Sequence, residues 1–583
     1  MTSHQDVSTF PRRSRPRGRH AATRRSADVP PTHAAVAPAS LVDAPTEAQA
    51  FLPVAGLALA PRRGFSRLLH PLAAILAVQA ALSATLIWSN TAFTDEADYL
   101  WIGRLVLGSW VHGRSWPASY GEKILPGSPL VYPPIGGLAD SIGGLAGARI
   151  ASLIFMLGAT ALLYGTASKL FGRVAATFAA TAFVLSEPVI RLAFATAEPL
   201  SIFLTALAAW LIVAAAERRR HGELVAAAAG ALALANAAAY NGTIIDPVLV
   251  AFAFCVWVPR LGAQQAASST AWFAGAWMVF LGGLLTFSRS WPGFTATVAG
   301  NGTSSHENPV LVLTDIWTYA GLVVVLGLVG AVVAGAAQDS RLTWLVAVLG
   351  GAALIVPVVQ LATQNADLLD RRVGYGLWFA AIAAGYGCAR VVRWLPAAGR
   401  PLTVAACVIV GSYLGLAAWK SATDVYHGWP DSRAFVASFT KAAAQSKGLL
   451  FVASQQHVAE YYTKAGDDWT RWKSDGLSLN PPTKPTVAYY KRLLGQANYS
   501  VVALFYSTSF TNGNLPAGLL TAAGSSGKSQ QVLGSASDPG EPGLSELTEA
   551  LREDPAYHLA GNGPYDNGNN HGVYLIWRKG AAK

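Results

Sequence analysis

Long apolar runs, separated by short polar loops, dominate the chain between residues 68 and 419. The first run covers residues 68–88 and is interrupted only by His70, Gln79 and a few hydroxyl groups. A helix of about 20 apolar residues spans the hydrocarbon core of a bilayer, so this run predicts a first transmembrane helix. The same pattern predicts ten more, about eleven in all, near residues 148–166, 174–190, 198–216, 224–240, 243–259, 271–288, 317–337, 342–362, 373–392 and 401–419.

The composition changes on both sides of this region. Residues 1–66 are rich in Arg, Pro, Ala, Ser and Thr and lack an apolar period, which predicts a disordered tail. Residues 67–420 are the predicted multi-span transmembrane domain. Residues 421–583 contain more Lys, Asp, Asn and Ser and no run long enough to span a bilayer, so they predict a separate soluble domain.

Within this last region the residue pattern alternates between strand and helix. Residues 448–453, 499–506 and 572–577 have the composition of buried strands, and a helix is predicted around 456–464. The Asn- and Gly-rich residues 562–570 predict a turn before the last strand. The predicted fold is therefore a polytopic α-helical membrane protein with a C-terminal soluble α/β domain.

Charge agrees with membrane insertion and gives an orientation. Hydrophobic residues make up 52% of the chain and charged residues 13%, about half the charged share of a soluble domain. The net charge of +11 is concentrated in the amino-terminal tail and in alternate loops, so the positive-inside rule explains it and nucleic-acid binding is not indicated. Those loops lie on the side of the amino terminus, which predicts a multi-pass plasma-membrane protein with a cytoplasmic amino terminus and an extracytoplasmic carboxy-terminal domain.

Three acidic residues directly follow the first span, at the predicted outer edge of the bilayer. With Thr94 as the N-cap, Asp95 and Glu96 occupy a first helical turn, where the macrodipole favours an ionised carboxylate that can act as a base. Asp98 follows one turn later. The helix that continues to Trp110 is amphipathic enough to lie along the membrane surface. The alternative is that the acids only cap this interfacial helix.

Two other outer loops carry arginines beside acids. Arg191 lies between Glu187 and Glu198, and the adjacent pair Arg371 and Arg372 follows Asp367 and Asp370. Because arginines on the outer face oppose the positive-inside bias, they are candidates for gripping a phosphate at headgroup depth. The alternative is a salt bridge from this pair to Asp367 or Asp370.

The order of these features resembles a known group of membrane enzymes. A first span followed by Asp95-Glu96, an interfacial helix, the element Tyr132-Pro133-Pro134-Ile135, an Arg-then-acid loop at 191–198 and an outward soluble tail is similar to the polyprenyl-phosphate-dependent glycosyltransferases of the glycosyltransferase-C superfamily. Within this group the chain resembles the family 39-like branch, which includes the protein O-mannosyltransferases and the lipid A aminoarabinose transferase. The resemblance covers residues 67–420.

The resemblance implies transfer of a sugar, mannose or another hexose or pentose, from a polyprenyl monophosphate to an acceptor hydroxyl on the outer face, with inversion. It implies Asp95 as the catalytic base, with Glu96 supporting it or holding the acceptor. The remaining candidates for substrate binding are Asp98, Tyr132, Arg191, Glu198, Arg371 and Arg372. The implied partners are the lipid-linked donor, the bilayer and a cell-envelope glycan, lipid or protein as acceptor. Tyr132 stands where some members place Lys or His.

No cofactor is implied with certainty. The chain has no Cys/His cluster with zinc spacing, but Asp95, Glu96 and Asp98 could ligate a divalent cation, since hard cations prefer oxygen. The soluble domain is expected to choose the acceptor and to offer Tyr461, Trp469 and Trp472 for sugar stacking. Two other functions stay open: a polytopic transporter or lipid flippase, and a non-catalytic scaffold. The sugar, the acceptor, the carrier length and the oligomeric state are also open.

Overall fold

The computed structural model describes residues 66–114, 131–217, 221–300, 308–337, 339–364, 369–394, 400–426, 428–429, 431–453, 456–463, 468–472, 477–479, 485–507, 543–566 and 571–580. The first part is helical: α1 (Ser66–Ile87), α2 (Thr94–His112), α3 (Tyr132–Phe171), α4 (Arg173–Val184), α5 (Glu187–Arg191), α6 (Glu198–Ala215), α7 (His221–Ala238), a 3₁₀ turn (Tyr240–Ile245), α8 (Asp246–Leu261), α9 (Ala263–Phe287), α10 (Trp291–Gly300), α11 (Pro309–Ala336), α12 (Ser340–Thr363), α13 (Leu369–Trp394) and α14 (Arg400–Tyr426).

Seven helical segments of the described chain are long and apolar enough to cross a membrane: α3, α6, the 3₁₀ turn with α8, α9, α11, α12 and α13. Their outer sides expose large apolar side chains, among them Val279, Phe287 and Val332, as expected of surfaces that face lipid. The protein is therefore a multi-pass membrane protein. All eleven predicted spans overlap helices, but the count of eleven is not confirmed, because α1 and α4 contain only shorter apolar segments and α7 and α14 are not among the seven.

Helix α3 is 40 residues long, about 60 Å at 1.5 Å per residue, and exceeds the thickness of a hydrocarbon core. Gly144 interrupts it with a left-handed φ of 61°. The part before this kink lies against α2 at a glycine contact. A Cβ on Gly103 would lie 2.1 Å from the carbonyl oxygen of Pro133, so only glycine allows the two backbones to approach this closely.

The C-terminal region contains α15 (Arg433–Ala444), β1 (Leu449–Val452), α16 (Gln456–Tyr462), a 3₁₀ turn (Trp469–Trp472), α17 (Val487–Gln496), β2 (Tyr499–Ser507), α18 (Leu544–Glu553), β3 (Tyr557–Asp566) and β4 (His571–Lys579). The sheet has the order β1-β2-β4-β3; β1 and β2 are parallel, and the other neighbours are antiparallel. The predicted α/β class and all three predicted strands are confirmed.

Strand β3 was not predicted, and the prediction of a turn over 562–570 is wrong for its first half. Residues 562–566 belong to β3, whereas 567–570 lie outside the described residues. Its Gly and Pro residues are typical of turns, but β3 is at the sheet edge, where Pro is tolerated. Gly563 also lets α15 approach, since a Cβ there would lie 2.3 Å from the Cα of Phe435.

Candidate active site

Helix α2 carries the predicted acids and starts one residue earlier than expected. Thr94 is already helical, and the N-cap is Phe93, whose backbone is extended; the prediction of Thr94 as the cap is therefore wrong. Asp95 and Glu96 still lie in the first turn, where the helix dipole favours negative charge. Most residues of this helix from Glu96 to Val106 are buried, packed against α3 and α16. Its location along the membrane surface stays a prediction.

Asp95 pairs with Arg371, the first residue of the predicted phosphate-binding pair. One guanidinium nitrogen of Arg371 lies 2.5 Å from Oδ2 of Asp95, although 276 residues separate them in sequence. The guanidinium also lies over the ring of Phe93, 5.2 Å from its centre. The Asp95 side chain remains 35% exposed and that of Arg371 17%. The predicted base and a predicted phosphate ligand therefore form one accessible pair.

Glu96 forms an ion pair with a different arginine, Arg149. Arg149 of α3 donates to both carboxylate oxygens, at 2.8 and 2.6 Å, and the backbone N–H of Ala195 donates to Oε1 at 2.9 Å. Both side chains of the ion pair are almost completely buried. The predicted roles of Glu96, supporting the base or holding the acceptor, do not fit this position, because its oxygens face a structural partner.

Arg149 was missed by sequence reasoning. It donates to the carbonyl oxygens of Leu86, Ile87 and Asn90 at 3.2 to 3.4 Å, and its guanidinium lies 5.3 Å from the ring centre of Phe194. It therefore joins the end of α1 to α2, α3 and the loop after α5. An arginine at the start of the predicted apolar span 148–166 was the available signal, because buried charges in such runs have partners.

Arg191 is held by acids instead of standing free for a phosphate. It donates to Oε1 of Glu187 at 2.8 and 3.1 Å and to Oδ2 of Asp370 at 3.4 Å. Its guanidinium lies 5.6 Å from the ring centre of Tyr319. The salt bridge to Asp370 that was the alternative for the arginine pair is thus made by Arg191; Asp367 lies outside the described residues.

Tyr132 is also unavailable to substrate in this structure. Its side chain is buried, its hydroxyl lies 3.3 Å from Oγ of Ser152, and its ring meets that of Tyr99 edge to face. Its predicted role in substrate binding does not fit this packing. Glu198 begins α6, and its side chain is buried. Burial raises the pKa of Tyr99 well above its usual value, and the negative charges of Glu198 and Asp95 add to this effect. Arg372 follows Arg371 in the first turn of α13.

Asp98 faces a histidine of the C-terminal region. Nδ1 of His457, in α16, lies 3.0 Å from Oδ1 of Asp98 and 2.7 Å from Oε2 of Glu460. Burial raises the pKa of Asp98 to about 6, against the opposing effect of the histidine. Burial lowers the pKa of His457, but its contacts with Asp98 and Glu460 outweigh this and raise it to about 10. At neutral pH this is a cation between two carboxylates.

Further contacts fix α16 and its neighbours to the end of the helical part that contains Asp95. The Tyr461 hydroxyl donates to Asp140 at 2.6 Å, and the Tyr462 hydroxyl accepts from the backbone N–H of Ala92 at 2.7 Å. Tyr461 and Trp472 are both buried, so the prediction that they stack on a sugar is wrong. The C-terminal region is docked directly against the helix that carries Asp95.

The three acids predicted to ligate a cation do not converge. Asp95 faces Arg371, Glu96 faces Arg149, and Asp98 faces His457. Within the described ranges, no three His, Cys, Asp or Glu side chains are grouped as metal ligands. A shared cation site on these three carboxylates is therefore not what their geometry supports.

Docking of α16 should depend on pH. His457 has a higher pKa in the folded protein, about 10, than its usual 6.5, so its protonated form stabilises docking below about pH 6.5 and the gain is lost as pH rises through 10. We expect the docked region to become more sensitive to protease between pH 7 and 10, above the pKa of Asp98.

The matched variant His457→Gln should lower stability at pH 7 by about 2 kcal/mol, since it removes a charged hydrogen bond, and should flatten this pH dependence. Thermal unfolding of the unaltered protein and of the variant between pH 7 and 10 measures the stability and its dependence on pH. An identical pH slope in the variant would show that other groups control docking.

Comparison with solved structures identifies the fold. The chain is similar to the Archaeoglobus fulgidus oligosaccharyltransferase tethered with an acceptor peptide, with 12% identity, a TM-score of 0.50 and coverage of 76% of this chain and 69% of that one. It is also similar to the arabinofuranosyltransferase AftD from Mycobacteria, with 14% identity and a TM-score of 0.52, over 89% of this chain but only 40% of that one.

ArnT from Cupriavidus metallidurans, bound to undecaprenyl phosphate, aligns over 88% of this chain and 98% of its own, with 13% identity and a TM-score of 0.47. No protein-family model and no curated protein matches the chain. At these identities the similarity concerns the fold alone. The chain has the glycosyltransferase-C fold, which confirms the predicted resemblance at that level, and the family 39-like branch stays a prediction.

Proposed function

We propose that this protein is an integral membrane glycosyltransferase that moves a sugar from a polyprenyl monophosphate to an acceptor hydroxyl, with inversion. The observation that carries the proposal is the pair of Asp95 and Arg371, accessible at the start of α2 in a glycosyltransferase-C fold. The fold neighbours are by name an oligosaccharyltransferase and an arabinofuranosyltransferase, so the proposal extends to hexose or pentose donors and leaves mannose as one candidate.

The pair can perform the two tasks that this reaction needs. The acceptor hydroxyl attacks the anomeric carbon from the face opposite the phosphate, and Asp95 accepts its proton. The bond from the anomeric carbon to the phosphate oxygen breaks, and Arg371 stabilises the charge on the departing phosphate. A guanidinium has five N–H donors, so Arg371 can hold Asp95 and a phosphate oxygen at once. No general acid is required, because a phosphate is a good leaving group.

Purified protein in lipid vesicles, supplied with radiolabelled polyprenyl-phosphate sugars, tests the activity directly. Release of the lipid phosphate together with a labelled glycan, lipid or peptide acceptor supports the proposal. A donor that crosses the bilayer chemically unchanged would instead identify a transporter or flippase. Binding without either outcome would favour a scaffold, and both results would overturn the transferase assignment.

Replacing Arg371 by lysine should weaken the donor site even though the charge is kept. The planar guanidinium can donate to Asp95 and to a phosphate at the same time, whereas the ammonium group of lysine is a single point charge without this fixed arrangement of donors. We expect the affinity for a polyprenyl-phosphate sugar to fall about tenfold, the value of one charged hydrogen bond. Arg191→Lys is the matched control, because Arg191 is engaged by Glu187 and Asp370. Equal losses in both variants would remove Arg371 from the phosphate site.

We further propose that the reaction occurs on the outer face of the plasma membrane, with the C-terminal region outside. The support is the positive-inside distribution of Lys169, Arg173, Arg260, Arg341 and Arg393. Reporter fusions after Glu217 and after Ala453 should therefore report opposite sides. If both are cytoplasmic, the site containing Asp95 faces the wrong compartment for this assignment.

A further inference from the structure

A second group of polar side chains lies buried inside the helical part, and the reaction steps above do not use it. Asn236 lies in the last turn of α7 and Asp246 begins α8; the amide of Asn236 donates to Oδ2 of Asp246 at 2.7 Å. Both side chains are at most 3% exposed. The second carboxylate oxygen of Asp246, Oδ1, and the amide oxygen of Asn236 have no hydrogen-bond partner among the described residues. A buried acidic residue in a membrane-spanning segment is expected to serve a function.

More unpartnered acceptors belong to the same region. Oδ1 of Asn241, on the 3₁₀ turn between Asn236 and Asp246, has no partner within the described chain, and neither has Oε2 of Glu198, whose residue is 4% exposed. Four acceptor oxygens are thus buried without donors. Because buried acceptors cost free energy unless they are matched, a molecule rich in hydrogen-bond donors would suit this group.

Tyr375 connects these oxygens to the candidate active site. Its ring lies against the 3₁₀ turn, where a Cβ on Gly242 would be 3.2 Å from Cε1 of Tyr375 and 3.1 Å from Oγ of Ser201. Tyr375 is also within electrostatic reach of Glu198, Asp246 and Arg372. It lies one helical turn after Arg371 and Arg372 on α13, so the buried group continues inward from the proposed phosphate ligands.

Building on the proposed function, we propose that these oxygens bind the hydroxyl groups of the sugar carried by the lipid donor. Sugar hydroxyls are donors in a fixed stereochemical arrangement, and carboxylate and amide oxygens accept from them with high directionality. Asn236 and Asp246 would then decide which sugar is transferred, while Arg371 holds the phosphate common to all donors. A hard cation is the competing occupant, but only two of the four oxygens belong to carboxylates, and no three potential ligands of the acid, His or Cys type group here within the described residues.

The test compares Asp246→Asn with the unaltered protein in two binding measurements. Affinity for a polyprenyl-phosphate sugar should fall about 10- to 100-fold, the effect of losing charged hydrogen bonds to hydroxyls. Affinity for the bare polyprenyl phosphate should not change, since Arg371 is untouched. The differences in affinity among donors whose sugars differ in the configuration of one hydroxyl group should also become smaller. An equal fall for the bare and the sugar-bearing lipid, or an unchanged ranking, would overturn the inference.

Two further variants provide a second test of the sugar-binding group and a control. Asn241→Ala removes one acceptor without disturbing the Asn236–Asp246 hydrogen bond, so it applies if Asp246→Asn does not fold. Thr160→Val removes a buried, unpartnered hydroxyl in α3 and should leave donor selectivity unchanged. Stabilisation of the unaltered protein by added Ca²⁺ or Mg²⁺ that Asp246→Asn abolishes would assign the group to a cation instead.

Failure of this inference is separable from failure of the proposed function. If the unaltered protein transfers sugar but Asp246→Asn keeps the same donor preference, only the sugar pocket is wrong. If the unaltered protein binds neither the bare nor the sugar-bearing lipid phosphate, the proposed function itself fails.

Discussion

Asp95→Asn is expected to reduce sugar transfer by about 10²- to 10⁴-fold while the protein stays folded and inserted. Asparagine keeps the size of the side chain and can still accept a hydrogen bond from Arg371, but it cannot take the proton of the acceptor hydroxyl. The loss should therefore appear in kcat, with donor affinity changed much less. Single-turnover kinetics in lipid vesicles with a saturating labelled donor separates the two quantities.

Glu549→Gln is a suitable control for this variant. Glu549 is an exposed acid of α18 whose partner is Arg552, so its amide form should retain normal turnover. Turnover of Asp95→Asn near that of the control would show that Asp95 is not the base. Glu198 would be the next candidate, because it is the other acid that acts electrostatically on both Tyr99 and Arg371.

Arg149→Met is expected to destabilise the folded protein by about 3–5 kcal/mol, because it leaves the Glu96 carboxylate buried without its cation. The backbone carbonyl groups at the end of α1 would lose their donor in the same step. Thermal unfolding in detergent, followed through tryptophan fluorescence, measures the change. Lys491→Met is the matched control, since its pair with Glu553 is exposed and such pairs contribute about 0–1 kcal/mol.

The double variant Glu96→Gln with Arg149→Met tests the reason for this loss. If the unpaired charge of Glu96 is responsible, the double variant should be more stable than Arg149→Met alone, because the carboxylate is gone. A double variant that is equally or less stable would instead place the cost in the packing of the arginine against Phe194 and Trp429. Either way, Glu96→Gln alone cannot be interpreted as a catalytic variant.

The docked C-terminal region contacts the loop between α1 and α2, and this loop in turn contacts Arg149 and Arg371. The loop between α1 and α2 is tied to that region by Thr91, whose hydroxyl oxygen accepts from Ser432, and by Asn90, whose amide donates to the carbonyl oxygen of Trp429. This loop also supplies backbone oxygens to Arg149 and ends at Phe93, over which Arg371 lies. A change in docking would therefore be transmitted to the position of Asp95. This is a reason to expect kinetic as well as structural effects from His457→Gln.

The sequence alone determined the features that depend on local composition and periodicity. Helical spans follow from runs whose apolar length matches a bilayer, and β1, β2 and β4 follow from short β-branched and aromatic runs. The acids of α2 were placed in a first turn because helix starts have a local signature. Strand β3 was missed because its identity comes from pairing with β4 at an edge, and its Gly and Pro residues favour a turn when considered locally.

The partner of each charge was decided only by the tertiary structure. Asp95, Glu96 and Asp98 lie within four residues of sequence, yet they face Arg371 from α13, Arg149 from α3 and His457 from the C-terminal region. Helix geometry directs neighbouring side chains to different sides, and long-range packing supplies the opposite charge on each side. No local pattern contains that information, because the partners are separated from the acids by 53 to 359 residues, and each acid thus acquires a different physical role from a nearly identical sequence environment.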